Sequence, residues 1–163
     1  VHHIAIGDAD SYRSAADVFK PLSSLLDTDG LALNYFELEP GDAFGFCYHR
    51  HHEQEEVFYV QSGTATFETE DGTAEVGPGE VVRFAPGEWQ RGTNRGTERV
   101  VALALGAPRE QGPTDLRRVC ETCDKRTPHE VSAEHVNGDT DDRREAVVTT
   151  CLTCGSETGR FTD

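Results

Sequence analysis

The alternation of apolar and polar positions changes character twice along the chain. Over residues 10–26 the apolar residues Ala15, Ala16, Phe19, Leu22 and Leu26 recur near one helical face, and Asp10 or Ser11 is placed to cap it. Pro21 breaks or kinks that segment. A short N-terminal helix is therefore predicted, preceded by a short strand over residues 2–6 and followed by a turn at 27–30. From Leu31 to Gly106 the period becomes two. Strands are predicted over 31–38, 44–48, 56–61, 64–69, 73–76, 81–84 and 98–105, with a short polar piece at 89–92. Pro40-Gly41, Asp71-Gly72, Gly77-Pro78-Gly79 and Ala85-Pro86-Gly87 separate several of them. Many short, evenly spaced strands with Gly and Pro between them argue for an all-β antiparallel sandwich or barrel. Tyr35, Phe44, Phe46, Phe58, Phe84 and Trp89 are its candidate inward residues, and Cys47 reads as a small buried apolar residue.

After Gly106 the composition shifts. Residues 107–113, APREQGP, read as a linker, and the remaining chain is cut into short segments. The predicted organisation is a barrel with its N-terminal strand and helix over 1–107 (core 30–106), a linker over 108–116 and a small domain over 117–163.

Candidate chemistry enters at YHRHHEQEEVFYVQSG, residues 48–63. His49 and His51 stand two apart, so on an extended strand both rings face one way. A carboxylate on the next pass of the chain can close on the same point. Two imidazoles and a carboxylate hold a divalent transition metal with positions left open. Alternation puts Glu56 on the face of Phe58 and Val60, whereas Glu55 goes with Val57 and Tyr59. His52 points opposite to His51.

These residues resemble the first motif of the cupins. His49-Arg50-His51, four residues, Glu56, six residues and Gly63 match its spacing, although its leading glycine has no counterpart in register. Gly79 to Asn94 resembles the second motif, with Gly79, Gly87 and Asn94 in register, Ala85 in the proline place and Gln90 in the histidine place. The resemblance covers about residues 30–106 and implies a double-stranded β-helix barrel. It also implies a ligand set of His49, His51, Glu56 and Gln90 for a divalent metal (Fe, Mn, Ni or Zn). A glutamine carbonyl is a weaker donor than imidazole. The resemblance further implies a small-molecule ligand in the barrel and, by analogy, a homodimer.

The cysteines add a second site. Cys120-x-x-Cys123, 27 residues and Cys151-x-x-Cys154-Gly155 have the spacing of a closed, structural four-thiolate zinc site. Segments 127–136 and 145–150 read as strands around an acidic loop at 137–142, and the whole resembles a zinc ribbon. A tail this short needs the metal to fold. His129 and His135 are alternative ligands. The ribbon resemblance implies a protein or RNA partner, for which Arg117-Arg118, Lys125-Arg126 and Arg143-Arg144 are candidate contacts.

Charge narrows the picture further. The net charge is −15, with 30 acidic and 15 basic residues, and only Lys20 and Lys125 are lysine. Such a surface fits a cytoplasm of high salt, where screening removes self-repulsion, and predicts a halophilic, haloarchaeal-type protein that loses stability at low salt. It argues against duplex DNA, whose affinity comes from Lys and Arg on phosphates. The first residues lack the basic flank and apolar run of a signal peptide, and no window reaches the ~18 apolar residues of a membrane span. A cytoplasmic protein is expected.

Overall fold

The structure is a computed structural model and describes residues 1–136 and 144–162. The acidic loop predicted over 137–142, Arg143 and the side chain of His135 lie outside the described residues. The chain divides into two compact units, Val1–Thr114 and Asp115–Asp163.

The first unit opens with a 3-10 turn, Ile6–Asp8, followed by strand β1 (Val18–Pro21) and helix α1 (Ser23–Leu26). Then come β2 (Ala32–Leu38), β3 (Tyr48–His51), β4 (Glu55–Ser62), β5 (Ala65–Thr69), β6 (Gly72–Val76), β7 (Val81–Phe84), β8 (Arg91–Thr93) and β9 (Val100–Ala107). One antiparallel sheet runs β1-β2-β9-β4-β7, and a second runs β6-β5-β8. Isolated bridges Ala43↔Thr93 and His49↔Gln90 bring residues 43–49 alongside β8. Phe36, Phe58 and Ala104 from the first sheet and Ala65, Phe67 and Val76 from the second share one core. Phe44 lies in its middle, stacked 5.6 Å from Phe67 at 9° and edge-on to Phe36 at 5.2 Å.

Several sequence expectations are corrected. The strand over 2–6 is absent, and most of the helix expected over 10–26 is not helical. Its apolar set fits a helical face, but residues 18–21 instead form an edge strand on β2, with Phe19 opposite Phe36 and their rings 5.0 Å apart. Pro21 is tolerated there because an edge position spares its missing N–H. Only one helical turn follows, and Asp27 ends it in a left-handed conformation (φ 55°). The strand expected over 44–48 is displaced to Tyr48–His51, because the preceding residues bend to turn Phe44 into the core. In β2 the period was right and the phase wrong. Phe36 and Leu38 are buried, while Tyr35 stays half-buried and donates its hydroxyl to Glu37 at 2.9 Å. Phe46 is half-buried, whereas Phe44, Phe58, Phe84, Trp89 and Cys47 are buried.

The second unit contains the strand residues from Asp115 onward in β10 (Thr114–Cys120), then β11 (Lys125–Val136), β12 (Arg144–Cys151) and β13 (Glu157–Phe161). Each pairs antiparallel with the next. Its cysteines sit at the turn after β10 and the turn after β12.

Candidate metal centre

β3 presents His49 and His51 on one face, with ring centroids 5.1 Å apart. The strand is fixed by backbone bonds on both sides of the pair. His49 N donates to Gln90 O (3.0 Å), Gln90 N to His49 O (2.8 Å) and Gly87 N to His51 O (2.7 Å). Glu56, on β4, shares its face with the buried Phe58 and Val60. Its Oε2 lies 3.6 Å from His49 Nε2 and 3.4 Å from His51 Nε2. The three ligand atoms are all within 4.8 Å of one another. Glu55 faces the other way and pairs with Arg83 at 2.7 Å, and His52 is exposed.

Each imidazole is anchored through its Nδ1. His49 Nδ1 lies 3.1 Å from the Cys47 carbonyl, which can only accept, so Nδ1 carries the hydrogen. His51 Nδ1 lies 2.9 Å from Thr114 Oγ1, which is also 3.3 Å from Gly112 O. Both rings thus turn Nε2 toward Glu56. Burial pushes the Glu56 carboxyl pKa up, but hydrogen bonds and charge from His49 and His51 outweigh it and bring it down to about 2. A cation and protons compete for the same lone pairs.

Gln90 reaches the same point from the residues before β8. Its Nε2 donates to Glu56 Oε2 at 2.7 Å and lies 2.9 Å from His49 Nε2. The carbonyl Oε1, the atom that can ligate, is buried without a hydrogen-bond partner. The residues present fit a divalent metal. Three donor atoms converge, both imidazoles are anchored through Nδ1, and turning the Gln90 amide over would give its orphaned oxygen a cation. Trp89 stacks on Tyr48 (5.1 Å, 12°), with the Arg50 guanidinium 4.9 Å from its ring, so its partners come from the side of β3 opposite the histidines.

In the second unit the sulfurs of Cys120, Cys123, Cys151 and Cys154 also lie within 4.8 Å of one another. Cys120–Cys154 is 3.6 Å and Cys123–Cys151 is 3.9 Å. A tetrahedral ion with bonds of about 2.3 Å to sulfur needs sulfurs about 3.8 Å apart, so the spacing fits. Gly155 takes φ 76° and donates its N–H to Cys151 O at 2.8 Å, closing the second turn. The Thr127 hydroxyl, 3.1 Å from Cys151 Sγ, is the largest influence lowering that thiol's pKa, whereas Cys154 is the largest influence raising that of Cys123. His129 stands opposite Cys151 in the ladder but is not among the four-sulfur group. It gives its Nδ1 hydrogen to Thr127 O at 2.8 Å and keeps Nε2 buried without a hydrogen-bond partner.

Residues 34–106 match the family model described as Cupin domain. The match lies within the first unit. Three similar solved structures are distant in sequence. A sugar phosphate isomerase of the cupin superfamily from Silicibacter pomeroyi is 19% identical, over 99% of this chain and 91% of that one, with a TM-score of 0.57. The polyketide cyclase RemF from Streptomyces resistomycificus is 24% identical over 74% of this chain and 88% of its own (TM-score 0.61). An uncharacterised double-stranded β-helix protein from Klebsiella pneumoniae is 17% identical over 70% and 89% (TM-score 0.58). No curated protein matches the chain. These likenesses establish the cupin, double-stranded β-helix fold. No helix among the described residues is long and apolar enough to cross a membrane.

Sequence reasoning gave no structural role to three polar residues that hold this domain together. Asn94 donates to Leu38 O (2.9 Å) and Glu98 O (2.8 Å) and accepts from Gly96 N (3.0 Å), locking the turn before β9. Gln54 is buried and donates to Pro108 O at 2.7 Å. Thr114 holds His51. Asn94 was visible as a motif position. Nothing local marked the other two, because their partners are distant in sequence.

Proposed function

We propose that the cupin domain holds a divalent transition metal on His49, His51 and Glu56 and binds a small oxygen-bearing molecule at the positions left open. The observation that supports this best is the convergence of three donor atoms, with both imidazole Nδ1 atoms committed elsewhere. When bound, the metal supplies Lewis-acid polarisation of an oxygen-bearing group. The protein's share is positional. β3 fixes the two rings and β4 supplies the charge. Gln90 either offers its carbonyl to the metal or donates its amide hydrogen to an oxygen of the bound molecule. Phe58, two residues from Glu56 on the same face, belongs to a buried aromatic cluster with Phe44, Phe67 and Phe84.

The second unit we read as a zinc ribbon, with structural zinc on Cys120, Cys123, Cys151 and Cys154. Its sulfur separations suit that ion, and four thiolates leave no open position. Metal content of the purified protein tests both readings. Wild type is expected to carry two ions per chain, His49→Ala to lose only the first, and Cys151→Ser only the second. A single ion indifferent to His49→Ala refutes the barrel site.

A second reading has the barrel binding its ligand without turnover while the ribbon docks a protein or RNA partner. Gln90 in place of a fourth imidazole favours it. A pull-down in high salt separates the two, since docking requires a partner that Cys151→Ser loses.

A further inference from the structure

One of the two imidazoles is oriented from inside the barrel and the other from outside it. His49 is held by the carbonyl of Cys47, two residues away. His51 is held by Thr114, 63 residues away and beyond residue 106, where the cupin match ends. Thr114 Oγ1 lies 2.9 Å from His51 Nδ1 and donates to Gly112 O at 3.3 Å. A hydroxyl has one hydrogen. When it goes to Gly112 O, lone pairs face the ring, and His51 then carries its proton on Nδ1 and leaves Nε2 free toward Glu56.

The segment that delivers Thr114 is itself anchored to the first unit. Gln54 Nε2 donates to Pro108 O at 2.7 Å and to Arg109 O at 3.4 Å. The backbone N–H of His52, next to His51, donates to Pro113 O at 2.9 Å. Residues 108–114 therefore run back along the chain that carries the ligands, and the bond at His52 puts Thr114 level with His51.

We propose that Thr114 is a positioning residue for the barrel metal, and that residues 108–114 are a working part of the metal site. The hydroxyl selects the His51 tautomer and fixes the ring angle, and removing such a partner from a metal-bound histidine lowers affinity by about 10–100-fold. This inference rests on the metal reading above. A chain cut after residue 107 would keep every cupin-motif residue and still lose the partner of His51.

The test uses the full chain with its cysteine site first saturated with zinc, cobalt(II) as the barrel probe, and the variants Thr114→Val and Thr114→Ser. Thr114 is half-buried, so valine, of the same shape, fits its place. Thr114→Val is expected to weaken cobalt binding about 10–100-fold, and Thr114→Ser to restore it to within a few-fold of wild type. Nitrogen NMR of the metal-free wild type is expected to show His51 protonated on Nδ1, and this readout depends on no variant. Equal cobalt affinity in wild type and Thr114→Val, or a wild-type His51 protonated on Nε2 alone, overturns the inference and leaves the metal reading standing. A wild type that takes no cobalt in the barrel overturns both.

Discussion

Replacing Gln90 by leucine separates a three-ligand site from a four-ligand one. The side chain is 2% exposed, so its hydrogen bonds carry their full weight. In the metal-free protein its amide donates to the Glu56 carboxylate at 2.7 Å, a charge-assisted bond worth about 1.5–3 kcal/mol. Its carbonyl is buried and unpaired, which costs about 1–3 kcal/mol. Leucine removes both, so the two effects largely cancel and metal-free stability should change by no more than about 2 kcal/mol. A metal must take the Glu56 oxygen from the amide. If the amide stays as it is, Gln90→Leu relieves that competition and tightens binding by about 10–150-fold, at 1.4 kcal/mol per tenfold. If the amide turns over to ligate, the rescued carbonyl offsets the lost bond, and affinity stays within about tenfold of wild type. In neither case is the metal lost. The assay is competition with a chromophoric chelator on protein whose cysteine site is already filled. A drop beyond about 100-fold would instead make Gln90 an obligatory fourth ligand.

Two further predictions concern the scaffold. Gly63 takes φ 71°, and a Cβ built there would lie 2.5 Å from the Arg99 carbonyl and 2.9 Å from Val100 Cα. Gly63→Ala should cost at least about 1–3 kcal/mol in backbone strain and lower the melting temperature by roughly 5–15 °C; an unchanged melting curve would show that the turn adapts. Burial first, and then the hydrogen bond to Glu37 and its charge, raise the Tyr35 phenol from 10.0 to about 12. The folded state thus holds that proton more tightly than the unfolded state. Its contribution is complete below pH 10 and is lost as pH rises to about 12. Tyr35→Phe should flatten the alkaline fall of stability over that window in denaturant titrations, and an identical fall in the variant would contradict the shift.

How much could be read in advance depended on the range of each interaction. His49, His51 and Glu56 were legible because strand geometry alone puts residues two apart on one face. Alternation along β4 then chose Glu56 over Glu55, whose carboxylate pairs with Arg83. The phase of β2 was not legible, since Leu33 and Tyr35 are as apolar as Phe36 and Leu38. Period two survives a shift by one, and only packing reveals which set is inside. The segment around Phe19 was misread because a helical face and an edge strand both bury that ring, and the choice is made by β2, which lies further along the chain. Thr114 and Gln54 were invisible for a related reason. Their partners lie 54–63 residues away, so no local pattern announces them.

The central claim is that His49, His51 and Glu56 hold a metal as a set of three. Anomalous diffraction from crystals of the metal-loaded protein tests it most directly. A peak is expected within about 2.0–2.2 Å of both histidine Nε2 atoms and of a Glu56 carboxylate oxygen, separate from any peak among the cysteines. A peak at the cysteines alone, with Gln90 still donating to Glu56, would contradict it.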